Sequence, residues 1–389
     1  ELLSVGESNL VGRGWELSAV EGILERSVQG HGSIVLLVGG PGIGKSRLVS
    51  ELAARAAARG VPVHSTFCES HTSEIPFHAI TGLLRAGFGV EDLDREAARA
   101  KLRAQMPDDT TESLELLDDL LGIGDPDVVL PVIDPDARRR RLTTLVNAAS
   151  LARSTPAIYV VEDVHWVDSV SESMLSDFLL VTPQTPSLVV ITYRPEYHGA
   201  LSHVHGAQTI VLAPLDNSET SALINELLGA GDGAADLTET ITGRAAGNPF
   251  FALEIVRDLA ERGLLRGERG AYVLCDGQGR VSVPATLQAT IAARIDRLDP
   301  AAKRTLSAAA VIGSRFSAGL LACLDTEPTF GDLIEAELID QVQYTPHAEF
   351  AFHHPMVRTV AYESQLKSDR AELHRRLADT IAAREPALA

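Results

Sequence analysis

Cysteine is scarce: Cys68, Cys275 and Cys323 are the only three in 389 residues. They lie too far apart for a metal-binding motif and cannot all pair, which points to a reducing cytoplasm and to small buried hydrophobes rather than a disulfide framework. Long apolar runs are missing too. No stretch approaches the length that crosses a bilayer and no signal-peptide pattern opens the chain; no membrane partner is expected, and it is the cysteine usage that makes a cytoplasmic location the expectation. Positive charge is short: 34 Lys and Arg face 53 Asp and Glu, for a formal net charge of -19. Duplex binding needs clustered cations to neutralise phosphates, so direct nucleic-acid binding by these residues is not expected. The one basic run, Arg138–Arg141, opens an apolar-periodic stretch and reads as a solvated helix end. There is no internal repeat, no low-complexity tract and no G-x-S-x-G nucleophile elbow. His71, His78, His198, His203 and His205 show no metal spacing, and the adjacent His353 and His354 would point to opposite faces of a strand.

What is present is a soluble, globular composition, 45% hydrophobic and 22% charged, in a chain too long for one ordinary core. Two or three domains are expected, and the opening Glu1 in place of Met reads as a piece excised from a longer polypeptide. Short β-branched or apolar runs at Ser33–Val38, Val61–Cys68, Ala157–Val161, Leu188–Thr192 and Thr209–Leu212 predict strands. Helical patterns lie between them at Lys45–Ala58, Phe77–Ala86, Arg139–Ala152 and Ser171–Leu180. Apolar strands alternating with helices predict a parallel sheet covered on both faces, an α/β domain over residues 1–215. The charged segment Glu91–Leu121 reads as a helical insertion in it. Helical periodicity then dominates residues 216–284, with Asn217 or Ser218 as the first cap, Pro249 in the first turn of a later helix, and a small hairpin over Gly267–Val283 turning at Asp276–Gly279. Residues 285–389 read as a mixed, mainly helical third domain with short segments at Gln341–Tyr344 and Phe350–Phe352 and a long helix near Ser368–Ala383.

The chemistry concentrates in three places. Gly39-Gly40-Pro41-Gly42-Ile43-Gly44-Lys45-Ser46 follows a predicted strand and opens a predicted helix, the context that a phosphate-binding loop requires. Glycines let backbone N–H groups turn inward around phosphate oxygens, and the helix N-terminus adds positive potential. Gly40, Pro41, Gly42, Ile43, Gly44, Lys45, Ser46 and the following Arg47 are the candidate nucleotide contacts, with Lys45 reaching the β- and γ-phosphates and Ser46 ligating magnesium. The apolar run Ala157–Val161 ends in Glu162-Asp163, the Walker B arrangement. Glu162 is assigned to Mg2+, partly through water, and Asp163 to the attacking water, with an exchange of these roles left open. Arg194, just past the strand Leu188–Thr192, can sense or neutralise a γ-phosphate.

Together these residues resemble a STAND-class signal-transduction ATPase, an AAA-like P-loop family. The nearer likeness is to the ATPase module of bacterial, often actinobacterial, regulators of the LuxR/MalT type and of class III adenylyl cyclases fused to such a module. Leu10-Val11-Gly12-Arg13-Gly14-Trp15-Glu16 resembles the family's opening motif, with Gly14 where an acid is usual. Glu162-Asp163-Val164-His165-Trp166-Val167-Asp168 resembles D-D-x-H-W-x-D, with Glu in the first place. Ile191-Thr192-Tyr193-Arg194-Pro195-Glu196 resembles the sensor strand, and Gly247-Asn248-Pro249 the GxP motif. Phe352-His353-His354-Pro355-Met356-Val357 resembles a winged-helix segment, with Pro355 where related chains have Asp. The resemblance implies backbone contacts to adenine from Val11 and Gly12, an Arg13 near phosphate or structural, Pro249 packed on the base, and His354 at the β-phosphate of ADP. It also implies that residues 216–284 are a helical lid and that 285–389 are winged-helix-like.

The expected function is a slow ATPase serving as a regulatory switch within a larger signalling protein. ATP or ADP with Mg2+ is the ligand, and the other domains of the polypeptide are the partners, with nucleotide-driven self-association possible. Two alternatives stand beside it. One is a scaffold that binds nucleotide without hydrolysing it, hinted at by Glu162 in place of Asp. The other is a ring-forming mechanical AAA-type ATPase, for which Arg244 and Arg257 are the available arginines.

Overall fold

The computed structural model describes residues 10–69, 72–106, 111–125, 128, 130, 132–229, 234–268, 270–275, 284–324, 327–343 and 348–384. The chain divides into two compact units, Arg13–Ala213 on one side and Glu1–Gly12 with Pro214–Ala389 on the other.

The Arg13–Ala213 unit runs α1 (Gly14–Val28), β1 (Ser33–Val38), α2 (Lys45–Ala58), β2 (Val63–Phe67), α3 (His78–Phe88), α4 (Arg95–Arg103), α5 (Thr111–Leu120), α6 (Pro135–Ala152), β3 (Ala157–Glu162), α7 (Ser169–Val181), β4 (Ser187–Tyr193) and β5 (Gln208–Val211). Its five strands form one sheet in the order β2-β3-β4-β1-β5, and every neighbouring pair is parallel. β3 and β4 are buried along their whole length, which is why their sequences read as unbroken apolar runs rather than alternating ones. This is the α/β P-loop NTPase fold that the strand–helix alternation predicts. Leu102, Leu116, Leu117 and Leu121 of the 91–121 insertion join the same apolar core as Leu142 and Val161.

Two local expectations shift. α6 begins at Pro135, not Arg139, because the Asp134 carboxylate accepts from the N–H groups of Asp136 (3.0 Å) and Ala137 (3.1 Å). Its first turn is polar, so apolar periodicity misses it. Arg138 and Arg139 consequently lie inside the helix and tie it to its neighbours, Arg138 to Asp119 at 2.5 Å and Arg139 to Asp177 at 3.4 Å.

The other unit contains α8 (Asn217–Leu228), α9 (Ala234–Ala245), α10 (Pro249–Glu261), β6 (Leu265–Arg266), β7 (Val273–Leu274), α11 (Leu287–Arg297), α12 (Pro300–Ile312), β8 (Arg315–Ser317), α13 (Ala318–Ala322), α14 (Gly331–Glu335), β9 (Ile339–Gln343), β10 (Glu349–Phe352), α15 (Pro355–Glu363) and α16 (Lys367–Arg384). Asp216, rather than Asn217 or Ser218, caps α8, in a reciprocal box with Glu219. β6 and β7 pair antiparallel; the turn expected at Asp276–Gly279 lies outside the described residues. β8, β10 and β9 form a three-stranded antiparallel sheet.

α10 and α11 meet through charge as well as apolar packing. Arg294 is 2% exposed and Glu254 fully buried, and they pair at 2.5 Å. Glu261 accepts from the Arg294 Nε at 2.6 Å, while Asp258 pairs with Arg297 at 2.7 Å and Arg262 at 3.2 Å. Burying this much charge is tolerable only because each group is met by another. Replacing Arg294 by Met leaves Glu254 buried without its main counter-charge. It should cost about 3–5 kcal/mol, read as a lower urea midpoint for this unit. Adding Glu254→Leu should restore most of the loss; a single variant as stable as wild type would show that the pair carries no such weight.

Candidate nucleotide site

β1 delivers the phosphate loop at its carboxyl end. The Gly39 N–H donates to the Tyr193 carbonyl at 3.2 Å, holding the start of the loop to β4. Gly42 and Gly44 have φ of 74° and 103°, the left-handed region where a side chain is strained, so the loop can curl into the start of α2. Lys45 is 7% exposed, and its Nζ donates to the carbonyls of Gly39 (3.0 Å) and Gly40 (3.2 Å), which arch it over the loop. Burial lowers its pKa, offset by the field of Asp163. The lysine is thus a short-range cation pinned where phosphate oxygens would be bound.

Ser46 opens toward the end of β3. Its hydroxyl donates to Glu162 Oε2 at 2.5 Å. A hydroxyl and a carboxylate sharing one point are the hard oxygen donors that a magnesium ion takes, the rest of its shell coming from phosphate and water. These residues therefore fit Mg2+. Among the described residues no group of three or more His, Cys, Asp and Glu is arranged to hold a metal ion on its own.

Asp163 follows with φ of 55°, a left-handed conformation for a non-glycine residue. Its N–H donates to Thr192 Oγ1 on β4 at 2.9 Å, which holds the turn. Burial raises the Asp163 pKa, and Lys45 and Arg194 pull it back down. Arg194, one residue past β4, therefore acts electrostatically on the same point, and its buried Nε has no hydrogen-bond partner among the described residues. His165 lies with Nδ1 3.7 Å from Asp163 Oδ1. Burial first, then Arg194 and Lys45, push its pKa down to about 4, so it is neutral at physiological pH.

Arg13 is buried and donates to the carbonyls of Ile43 (3.3 Å) and Ala213 (2.5 Å), tying the loop to the chain beyond β5. Arg47 pairs with Glu51 at 3.6 Å along α2. Lys45, Ser46, Glu162, Asp163 and Arg194 are thus gathered at one edge of the sheet. Val11, Gly12, Pro249 and His354 belong to the other compact unit. There Val11 packs against a core that includes Leu215 and Leu223. Pro249 starts α10 behind the Asn248 cap. His354 caps α15, accepting from Met356 N at 3.1 Å, and stacks on Phe250 with ring centroids 3.6 Å apart. Arg257 pairs with Glu254 at 2.9 Å and also with Glu337.

Two residues escaped the sequence reading of the site. Thr192 lay inside an apolar strand, where a threonine gives no signal. Asp168 was noticed only as the last letter of a motif. It is 3% exposed and accepts from Ser171 N (2.8 Å), Phe77 N (3.0 Å) and Ala79 N (3.4 Å), joining the starts of α7 and α3.

Residues 9–191 match the AAA ATPase domain family. The matched segment spans the phosphate loop and both strand-end acids, and it supports a nucleotide-dependent ATPase module. Residues 216–271 match a domain of unknown function, DUF8739. An uncharacterised protein of Rhizobium meliloti (strain 1021) is 27% identical over 398 residues, covering 95% of this chain and 36% of that protein. The chain thus spans about a third of the length of that relative. The fold is similar to a Signal Transduction ATPase with Numerous Domains (STAND) protein with a tetratricopeptide repeat sensor from Pyrococcus horikoshii. The TM-score is 0.55 at 14% identity, over 98% of this chain and 47% of the other.

Asp168→Ala should leave the N–H groups of Ser171 and Phe77 unpartnered, at a cost of about 2–4 kcal/mol in urea unfolding. Nucleotide affinity of the folded fraction should barely change, since Asp168 faces helix ends; a large loss of affinity without loss of stability would assign it to the site instead.

Proposed function

We propose that the chain is a STAND-type regulatory switch: an ATP-binding, slowly hydrolysing module of a larger bacterial signalling protein, such as a LuxR-type transcriptional regulator or a class III adenylyl cyclase. The observation that carries the hydrolytic part is the Ser46–Glu162 contact at 2.5 Å beside Lys45, Asp163 and Arg194. In this reading Ser46 and Glu162 hold Mg2+, which when bound neutralises phosphate charge. Lys45 binds the β- and γ-phosphates, Asp163 orients and deprotonates the attacking water, and Arg194 stabilises charge on the departing γ-phosphoryl group. Backbone N–H groups from Gly40 to Ser46 cradle the phosphates.

One feature supports slow turnover: Glu162 stands where the family pattern has Asp, so its carboxylate sits on a longer arm. Asp163 is a buried base whose pKa is raised by desolvation, with Lys45 and Arg194 opposing the rise. A switch needs only that its two conformations differ in nucleotide affinity, and slow hydrolysis then sets the lifetime of the ATP-bound form. The arrangement of α11, α12 and α15 with the sheet β8-β10-β9 supports a winged-helix-like reading of residues 285–389, and α8 to α10 a helical lid over residues 216–284.

The test begins with the nucleotide released when freshly purified protein is denatured. ADP near one per chain, monomeric behaviour and slow turnover are expected; a stable hexamer with fast basal turnover would sink the switch in favour of a mechanical ring. Lys45→Ala should abolish nucleotide binding measured by calorimetry. Asp163→Asn should retain binding and lower single-turnover hydrolysis by about 10²–10⁴-fold, the usual contribution of a positioned general base. Unchanged hydrolysis in Asp163→Asn would remove Asp163 from the chemistry.

A further inference from the structure

The Arg13–Ala213 unit holds a cavity of about 590 Å³ that none of the nucleotide chemistry uses. It is bounded by β2, β3, α3, α4, α6 and α7, and its lining includes none of the phosphate loop, Glu162, Asp163 or Arg194. Its size falls within the range of small-molecule sites.

The lining has two chemistries. One wall is aromatic. Tyr159 of β3 and His64 of β2 have ring centroids 5.5 Å apart, and Phe178 meets Tyr159 edge-on at 5.6 Å. Gly87 lies against the same wall; a Cβ there would come within 3.3 Å of the Tyr159 ring. The rim is cationic. Arg153 lies with its guanidinium carbon 5.8 Å from the Tyr159 centroid and donates to the Gly87 carbonyl at 2.9 Å. Lys101 Nζ donates to the Gly89 carbonyl at 2.8 Å. Both cations are positioned by neutral carbonyls, and neither is paired with a carboxylate among the described residues. The described lining contains no Asp or Glu, in a chain that has 53 of them. Burial and the nearby Arg153 push the His64 pKa down to about 4, so the imidazole is a neutral part of the wall and the positive charge is that of the rim alone.

A packing fault would leave apolar walls and no reason to bring two cations to the same opening. We propose that this cavity binds a small organic anion with a flat aromatic body, an aryl carboxylate or its sulfonate equivalent, the ring against Tyr159 and His64 and the acid group between Arg153 and Lys101. The charge-assisted contacts select the anion, and the stacking selects the ring. The proposal does not depend on the regulatory role inferred above.

The test titrates the full chain, saturated with Mg-ADP so that the phosphate loop is occupied, with 8-anilinonaphthalene-1-sulfonate. Uncharged N-phenyl-1-naphthylamine is the control. One saturable fluorescent site per chain is expected for the sulfonate, with weaker binding of the amine. Ala149→Trp, on the α6 wall, should fill the cavity and abolish the signal. Arg153→Gln and Lys101→Gln should each weaken sulfonate binding about tenfold and leave the amine unchanged. These two rim positions are half-buried and exposed, so they remain decisive if the tryptophan variant does not fold. Absence of saturable binding, equal affinity for the amine, or rim variants that bind the sulfonate like wild type would each overturn the proposal.

Discussion

Three parallel strands ending level with one another are the constraint on which the candidate site depends. β3, β4 and β1 are neighbours, their register pairing Val161 with Ile191 and Val38 with Tyr193. Residues 39, 162–163 and 194 are far apart in the chain, yet each is the first or last residue at the carboxyl edge of its strand. A parallel ladder fixes their spacing to that of the strands, and ligands of open parallel sheets bind outside those carboxyl ends. The apolar content of the strands is thus the reason the loop, the acids and the arginine meet. Any slip of β4 against β1 or β3 would separate Arg194 from Asp163.

Around that edge the polar groups are positioned by backbone contacts more than by each other. Lys45 is held by two loop carbonyls, Asp163 by Thr192, and the loop itself by Arg13 reaching Ile43 and Ala213. This is how a site preorganised for phosphate charge is built: the donors are already oriented, so little reorganisation accompanies binding. The left-handed turn at Asp163 is the strained element. It turns the chain sharply after Glu162, so that the two consecutive acids do not alternate across the sheet as strand residues do.

The two compact units solve the problem of buried polarity differently. In Arg13–Ala213 the sheet core is apolar and charge gathers at one edge of it. In Pro214–Ala389 charge enters the helix interface itself, with Glu254, Asp258 and Arg294 all nearly inaccessible. Such a network is a weak source of net stability, whereas removing one partner leaves a buried ion unmatched. Sequence patterns treat these residues as the polar face of α10 and α11, which is why none of them stood out beforehand.

Much of the sheet and its phosphate loop was legible in the sequence, for a local reason. A buried parallel strand announces itself by β-branched continuity, and Gly39–Ser46 by glycine spacing followed by Lys and Ser. The strand-end acids were legible because strand and acid are contiguous. Helix starts were less so: Asp134 and Asp216 are caps whose function lies in backbone N–H groups two or three residues on, and the polar first turn that follows hides the helix. Thr192 and Asp168 were silent because their partners, Asp163, Phe77 and Ala79, are distant in sequence. Arg13 was left between two roles for the same cause. The sequence by itself determined which chemistry is available here: a phosphate loop, two acids and a cation on an alternating α/β frame. Only the tertiary structure decided which residues act on one another, since strand order and helix packing, not spacing along the chain, set the distances between them.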